Sequence, residues 1–126
     1  MLIEKESLES VKDYLNNKSV LITGATGFVG KYIVYKLLKC FHVNAIFFIV
    51  RAKKGKSVQK RFEEYLKSKT FSEINENILL EKLVALEGDI TLPKLGLSDD
   101  HYQTVINNVS VVINSGASIK YNDTLR

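Results

Sequence analysis

Residues 20–30 read Val-Leu-Ile-Thr-Gly-Ala-Thr-Gly-Phe-Val-Gly, which is the most informative part of the chain. A short β-branched run stops at Gly24, further glycines follow at Gly27 and Gly30, and an amphipathic stretch begins at Lys31. A strand, a glycine turn and a helix in this order are the context in which such a glycine string indicates dinucleotide binding. The alternative is a bare turn, but chance glycine triplets seldom have this strand before them and this helix after them.

Each glycine of the turn has a predicted task. Gly24 can take the tight turn that a Cβ would block, and Gly27 lets the backbone approach a pyrophosphate. Gly30 lets the helix pack close to the strand. We expect the helix N-terminus to point free N–H groups and a partial positive charge at the anion.

The end of the second strand predicts which nicotinamide cofactor is bound. Residues 45–50 form a continuous apolar run, typical of a strand that is buried on both faces, and the run ends at Arg51. NAD-binding units carry an Asp or Glu about 20 residues beyond the glycines, where it bonds the ribose 2′-OH. Here the next acid is Glu63, and an Arg at this place suits a 2′-phosphate, so we predict NADPH. The alternative for Arg51, Lys53, Lys54 and Lys56 is a solvated charge run.

Composition and element order predict one domain of the α/β class. A chain of 126 residues with 45% hydrophobic and 25% charged residues is an ordinary globular mixture. Strands over about 19–23, 44–51, 83–87 and 109–113 alternate with helical stretches over 27–40, from Ser57, partly over 71–81, and after an N-cap at Ser98. This order predicts a Rossmann-like, doubly wound parallel sheet of about four strands in the order 3-2-1-4. We assign residues 1–17 to a leader with a short helix and residues 18–126 to the dinucleotide-binding domain.

Several classes of function are not supported by the sequence. The formal charge of +4 is too weak to indicate nucleic-acid binding by itself, so we expect no nucleic-acid partner. No apolar run approaches 18 residues, so we expect no membrane span in this chain. His42 and His101 are isolated, without the spacing of metal ligands, and we predict no metal site.

Two further strand ends are predicted to face the cofactor, because ligands bind outside the carboxyl ends of such strands. Asp89 is placed to reach the adenine amino group while Ile90 packs on the base; the alternative is a turn-forming Asp. The small residues Ser115, Gly116 and Ala117 would line the ribose and nicotinamide, although small residues suit any tight turn. The full predicted set of cofactor-binding residues is Thr23, Gly24, Thr26, Gly27, Phe28, Val29, Gly30, Arg51, Asp89, Ile90, Ser115, Gly116 and Ala117.

At this point the sequence resembles the N-terminal part of a fatty acyl-CoA reductase, in the extended short-chain dehydrogenase/reductase superfamily. The resemblance is carried by residues 20–31, by Val-Arg-Ala-Lys-Lys-Gly-Lys-Ser-Val-Gln-Lys-Arg over 50–61, and by residues 86–90, 95–98 and 111–126. It implies NADPH-dependent reduction of a long-chain fatty acyl-CoA to a fatty alcohol. It also implies that the full-length protein lies on the cytosolic face of the endoplasmic reticulum or peroxisome, held to the membrane by a part outside this chain.

The resemblance also implies a Tyr-x-x-x-Lys catalytic pair, which we expect beyond Arg126, so we assign no catalytic residue to this chain. Strings of that form occur at Tyr14, Tyr32, Tyr35 and Tyr65, but they are interpreted as helical i,i+4 neighbours. We therefore expect the chain to carry the cofactor-binding half alone. The alternatives are another extended reductase or epimerase, a thioester reductase domain, or a non-catalytic NADP(H)-binding remnant.

Overall fold

A computed structural model describes residues 11–52 and 55–115 of the chain. Residues 11–15 are helical and precede the elements that build the domain. In chain order these elements are β1 (Ser19–Thr23), α1 (Phe28–Cys40), β2 (Ala45–Val50), α2 (Val58–Leu66), α3 (Glu76–Lys82), β3 (Leu83–Glu87), α4 (Asp99–Asn108) and β4 (Val109–Asn114). Short 3₁₀ turns lie at Lys69–Phe71 and Pro93–Gly96.

The four described strands form one parallel sheet in the order β3-β2-β1-β4, which confirms the predicted topology. The bounds of β1 and β3 agree with the prediction. The segment over residues 71–81 was expected to be partly helical. It begins with the last residue of the 3₁₀ turn, Phe71, and its second half forms most of α3. Ser98 caps α4 as predicted, since its hydroxyl oxygen accepts a hydrogen bond from the His101 N–H at 3.2 Å.

The two faces of the sheet carry different layers. Successive residues of a strand point to opposite faces, so the buried run of β2 supplies both layers at once. Phe48 and its alternate neighbours pack against α1, α2 and α3, with Tyr65 stacked on the Phe48 ring at a centroid distance of 4.8 Å. Phe47 and Leu21 face the opposite side, where α4 contributes Val105.

β4 lies at one margin of the described sheet. Its side chains alternate between half-buried and exposed, and Val112 is 63% exposed. Its pairing with β1 shifts register between Ser19 and Val20. Because all four strands are parallel, their carboxyl ends meet at one edge of the sheet, and the predicted site residues follow those ends. Within the described residues, no helix combines the length and the apolar character that a membrane crossing needs.

Candidate dinucleotide-binding site

A cleft of about 760 Å³ opens where β1, β2 and β3 end. Each of these three strands is followed by residues that line it. The lining residues are Gly24, Thr26, Ile49, Val50, Arg51, Ala52, Arg61 and Ile90. A crevice outside the carboxyl ends of the strands is the place where open α/β sheets bind their ligands. Four of these residues, Gly24, Thr26, Arg51 and Ile90, belong to the set predicted to bind the cofactor.

The glycine turn between β1 and α1 is closed tightly by the chain itself. Gly24 has φ 75°, a left-handed conformation that side chains disfavour. Its carbonyl accepts the Gly27 N–H at 3.2 Å. A Cβ on Gly30 would lie 2.0 Å from the Gly24 carbonyl oxygen and 2.6 Å from the Ala25 Cα, so α1 can approach the turn because Gly30 has no side chain.

Gly27 differs from the other two glycines of the turn in that the chain leaves room for a side chain there. Its φ of −77° suits any residue, and a Cβ there would meet only the Gly24 oxygen, at an ordinary 3.5 Å. The described chain therefore leaves space beside Gly27 that a ligand can fill.

The start of α1 suits an anion. Gly27 is its N-cap and supplies no side-chain hydrogen bond, and no acidic residue lies in the first turn. Helix starts leave several backbone N–H groups without an intrahelical partner, and their dipole favours negative charge. The first two helical side chains are exposed, Phe28 by 91%. These features fit a pyrophosphate beside Gly27.

A side chain of α2 stabilises the glycine turn after β1. The Tyr65 hydroxyl donates a hydrogen bond of 3.0 Å to the Ala25 carbonyl, inside the turn. Burial raises the pKa of Tyr65, so the hydroxyl stays neutral and keeps its proton as a donor. Lys31 places its Nζ 5.9 Å from the centre of the Tyr65 ring. The sequence pattern indicates only that Tyr65 lies on the apolar face of its helix, and this hydrogen bond was not predicted.

Arg51 leaves the end of β2 and pairs with a residue that follows β3. Its side chain is 68% exposed, and its Nε lies 3.6 Å from Asp89 Oδ2. The other oxygen, Asp89 Oδ1, accepts hydrogen bonds from the N–H and the hydroxyl of Thr91 at 2.9 and 2.6 Å. The hydrogen bonds from Thr91, and then the charge of Arg51, lower the pKa of Asp89, so this carboxyl group is ionised at neutral pH.

Arg61 is a functional candidate that sequence reasoning missed. It belongs to the first turn of α2, where its N–H donates to the carbonyl of the cap residue Ser57 at 3.0 Å. Its guanidinium donates to the Arg51 carbonyl, and it lines the cleft. Arg61 and Thr26 also line an adjoining cleft of about 190 Å³ together with Lys31, Lys56, Glu64 and Tyr65. The signal was present, because Arg61 ends the basic string over residues 50–61.

Thr23 and Ser115 join the ends of β1 and β4. The Thr23 hydroxyl donates to Asn114 Oδ1 at 2.6 Å. The Ser115 hydroxyl and N–H both donate to the Thr23 carbonyl, at 2.7 and 3.0 Å. Both predicted site residues thus have contacts within the chain, and their contact with a cofactor stays a prediction. Gly116 and Ala117 lie outside the described residues.

Metal ligands do not converge anywhere in residues 11–52 and 55–115: no group of three His, Cys, Asp or Glu side chains there could hold an ion.

Comparison with known proteins identifies the family. A family profile described as "Male sterility protein", of an NAD-binding class, matches residues 22–126. The chain belongs to this male sterility protein family. Fatty acyl-CoA reductase 1 of Mus musculus is 38% identical over 120 residues, which cover 93% of this chain and 23% of the mouse protein. The resemblance found in the sequence is thereby confirmed, and the chain spans about a quarter of the length of that relative.

Several solved structures similar to this male sterility family chain are reductase domains. A thiolation-reductase di-domain from an archaeal non-ribosomal peptide synthetase is 33% identical with a TM-score of 0.65, covering 85% of this chain and 21% of that one. The reductase domain of a non-ribosomal peptide synthetase from Mycobacterium tuberculosis is 27% identical with a TM-score of 0.64, covering 93% and 29%. The chain thus belongs to an NAD-binding family and has the Rossmann-like fold of these reductase domains.

Proposed function

We propose that the chain binds NADPH and forms the cofactor-binding part of an enzyme that reduces long-chain fatty acyl-CoA to fatty alcohol. The observation that carries the proposal is the pair of guanidinium groups, Arg51 and Arg61, at the end of β2, where an NAD-binding unit has a carboxylate. The mouse relative named fatty acyl-CoA reductase supports the substrate class.

We assign each part of the cofactor to residues of the chain. The space beside Gly27 and the uncapped start of α1 suit the pyrophosphate. Arg51 and Arg61 suit the 2′-phosphate, since a guanidinium presents a fork of donors that matches phosphate geometry. Asp89 and Ile90 would take the adenine, and Ser115 with Gly116 and Ala117 the ribose and nicotinamide.

The chemistry belongs to the whole enzyme. Two NADPH molecules, bound one after the other, would each supply one hydride: the first to reduce the thioester to an aldehyde with release of CoA, the second, with a proton, to reduce the aldehyde to an alcohol. The residues described here bind and orient the cofactor, and none of them is proposed as catalytic. We also propose that the intact protein works at the cytosolic face of the endoplasmic reticulum or peroxisome, where its acyl-CoA substrate and alcohol product partition.

A second candidate function is reduction of a thioester held on a carrier protein. It is favoured by the two similar solved structures, because both are reductase domains of non-ribosomal peptide synthetases. The two candidates differ in the thiol that carries the acyl group. The intact protein should form fatty alcohol from hexadecanoyl-CoA and NADPH, measured by gas chromatography of the product. Alcohol formed only from a carrier-bound acyl group would support the second candidate instead.

The cofactor proposal is tested at Arg51. Arg51→Ala in the intact protein should raise the KM for NADPH and leave the KM for NADH almost unchanged, because only NADPH carries the 2′-phosphate. The loss expected for one charge-assisted contact is about 1.5–3 kcal/mol. Lys36→Ala removes an equal charge from the exposed face of α1 and serves as the control. Equal losses with the two cofactors would contradict the assignment of Arg51 to the 2′-phosphate.

A further inference from the structure

We propose that Thr91 is a positioning residue for cofactor selectivity: it fixes the Asp89 carboxylate, and through Asp89 it holds Arg51 toward the 2′-phosphate. The inference rests on the proposed NADPH-binding function and concerns the loop over residues 88–97, which follows β3. Thr91 is exposed and is not among the described residues that line the cleft. It can therefore act on the cofactor through its neighbours.

The backbone at Asp89 is held by a tight turn of its own loop. The Asp89 N–H donates to the Leu95 carbonyl at 2.8 Å. Lys94, Leu95 and Gly96 all have left-handed φ angles, of 54°, 60° and 63°. A Cβ on Gly96 would lie 2.7 Å from the Asp89 nitrogen, and one on Gly88 would lie 2.6 Å from the Leu95 oxygen. The freedom left at this position is therefore the rotation of the Asp89 side chain.

Thr91 removes that rotation. Both of its donors bind the same oxygen, Asp89 Oδ1, at 2.9 Å from the N–H and 2.6 Å from the hydroxyl. Oδ2 is then directed to Arg51 Nε, 3.6 Å away. A guanidinium has five N–H donors, and a partner at Nε leaves the terminal nitrogens for another anion. The Nε of Arg51 is thus paired with Asp89, while the terminal nitrogens of its guanidinium remain available to a phosphate.

The loop is anchored on the rest of the domain. Lys94 lies with its Nζ 5.4 Å from the centre of the Tyr102 ring on α4. Leu97 is buried in the layer that α4 forms with the sheet, and the next residue, Ser98, caps that helix. These contacts fix the loop to the fold, and the N–H and the hydroxyl of Thr91 together fix the Asp89 rotamer, the hydroxyl through the shorter hydrogen bond.

The experiment compares two adenine nucleotides that differ at the 2′-position. The intact protein, as wild type, Thr91→Val and Thr91→Ser, is titrated with 2′,5′-ADP and with 5′-AMP by calorimetry. Valine keeps the β-branch and the backbone N–H but removes the hydroxyl, and serine restores it. Thr104→Val is the matched control, because the Thr104 hydroxyl binds the Asp100 carbonyl on the exposed side of α4.

We expect Thr91→Val to raise the Kd for 2′,5′-ADP about threefold to tenfold, as for one weakened charged contact. The Kd for 5′-AMP should change less, and Thr91→Ser and Thr104→Val should bind like the wild type. An unchanged Kd, or an equal rise for both nucleotides, would overturn the positioning role. A wild type that does not prefer 2′,5′-ADP over 5′-AMP would instead contradict the proposed NADPH function. Melting curves that agree within error for the wild type and the Thr91 variants would show that the fold is retained. If Thr91→Val does not fold, Thr91→Ser still tests the proposal, because a lowered affinity of this variant for 2′,5′-ADP would overturn it.

Discussion

The turn after β1 and the loop after β3 both depend on glycine, but for different reasons. In the loop, Gly88 and Gly96 are closed in by the chain, since a Cβ on either would come within 2.7 Å of a backbone atom. In the turn, Gly30 is closed in similarly, whereas a Cβ on Gly27 would meet nothing closer than 3.5 Å. The space beside Gly27 is therefore open to a bound group, which is the role we propose for it.

The largest expected effect is on folding, at the glycines that the chain encloses. Gly30→Ala and Gly88→Ala each place a Cβ against backbone, which cannot swing away as a flexible side chain can. Overpacking a core typically costs about 1–3 kcal/mol, and we expect these variants at or above the upper end. Urea unfolding of the intact protein measures the loss. A Gly30→Ala variant as stable as the wild type would show that the turn is not packed as described.

The next effect is on binding, at the glycine that the chain leaves open. Gly27→Val should fold, because its φ and its surroundings accept a side chain. Its branched side chain should block the approach of the pyrophosphate and abolish NADPH binding. Circular dichroism checks the fold and fluorescence titration checks the binding. Unimpaired affinity for NADPH in the folded variant would contradict the proposal that the pyrophosphate lies beside Gly27.

A smaller effect is expected where α2 braces the turn. Tyr65→Phe leaves the Ala25 carbonyl without the donor that it has in the buried interior. The expected loss in the free energy of unfolding is about 1–3 kcal/mol. Tyr35→Phe is the matched control, since the Tyr35 hydroxyl binds Glu73 on the surface. If both variants lost the same stability, the buried contact would have no special role.

The smallest effect expected is on how the stability contributed by Asp89 depends on pH, which should not change near neutrality. The pKa of Asp89 is lowered in the folded protein, so its stabilising contribution is present above the unfolded value of about 3.9 and is lost as the pH falls through the folded pKa. The stability difference between wild type and Asp89→Asn should therefore be constant from pH 5 to pH 8 in urea unfolding. A difference that grows across this interval would show that Asp89 titrates higher than its contacts with Thr91 and Arg51 allow.

The elements that sequence predicted best are those set by local or periodic signals. The glycine string and the apolar runs gave the parallel sheet and its order, and Ser98 marked the start of α4 because capping is a local interaction. The contact between Tyr65 and Ala25 joins residues 40 positions apart and depends on how α2 packs. The left-handed φ of Leu95 could not be predicted either, because a leucine in the sequence does not indicate that conformation as a glycine does.

Arg61 shows the same limit within the candidate site. Its charge is plain in the sequence, but its place beside Arg51 follows from the cap at Ser57 and the direction of α2. Arg51 could be predicted because it directly follows a strand, and strand ends define the binding edge.

The two contacts of α2 have a consequence for how the site opens and closes. Tyr65 fastens this helix to the turn after β1, and Arg61 fastens it to the end of β2. Local opening proceeds in cooperative units whose members share such contacts. We therefore expect the turn and the Arg51 end to open as one unit. In native-state hydrogen exchange, the Gly27 amide and the amides of α2 should be released together, and bound nucleotide should slow both by the same factor.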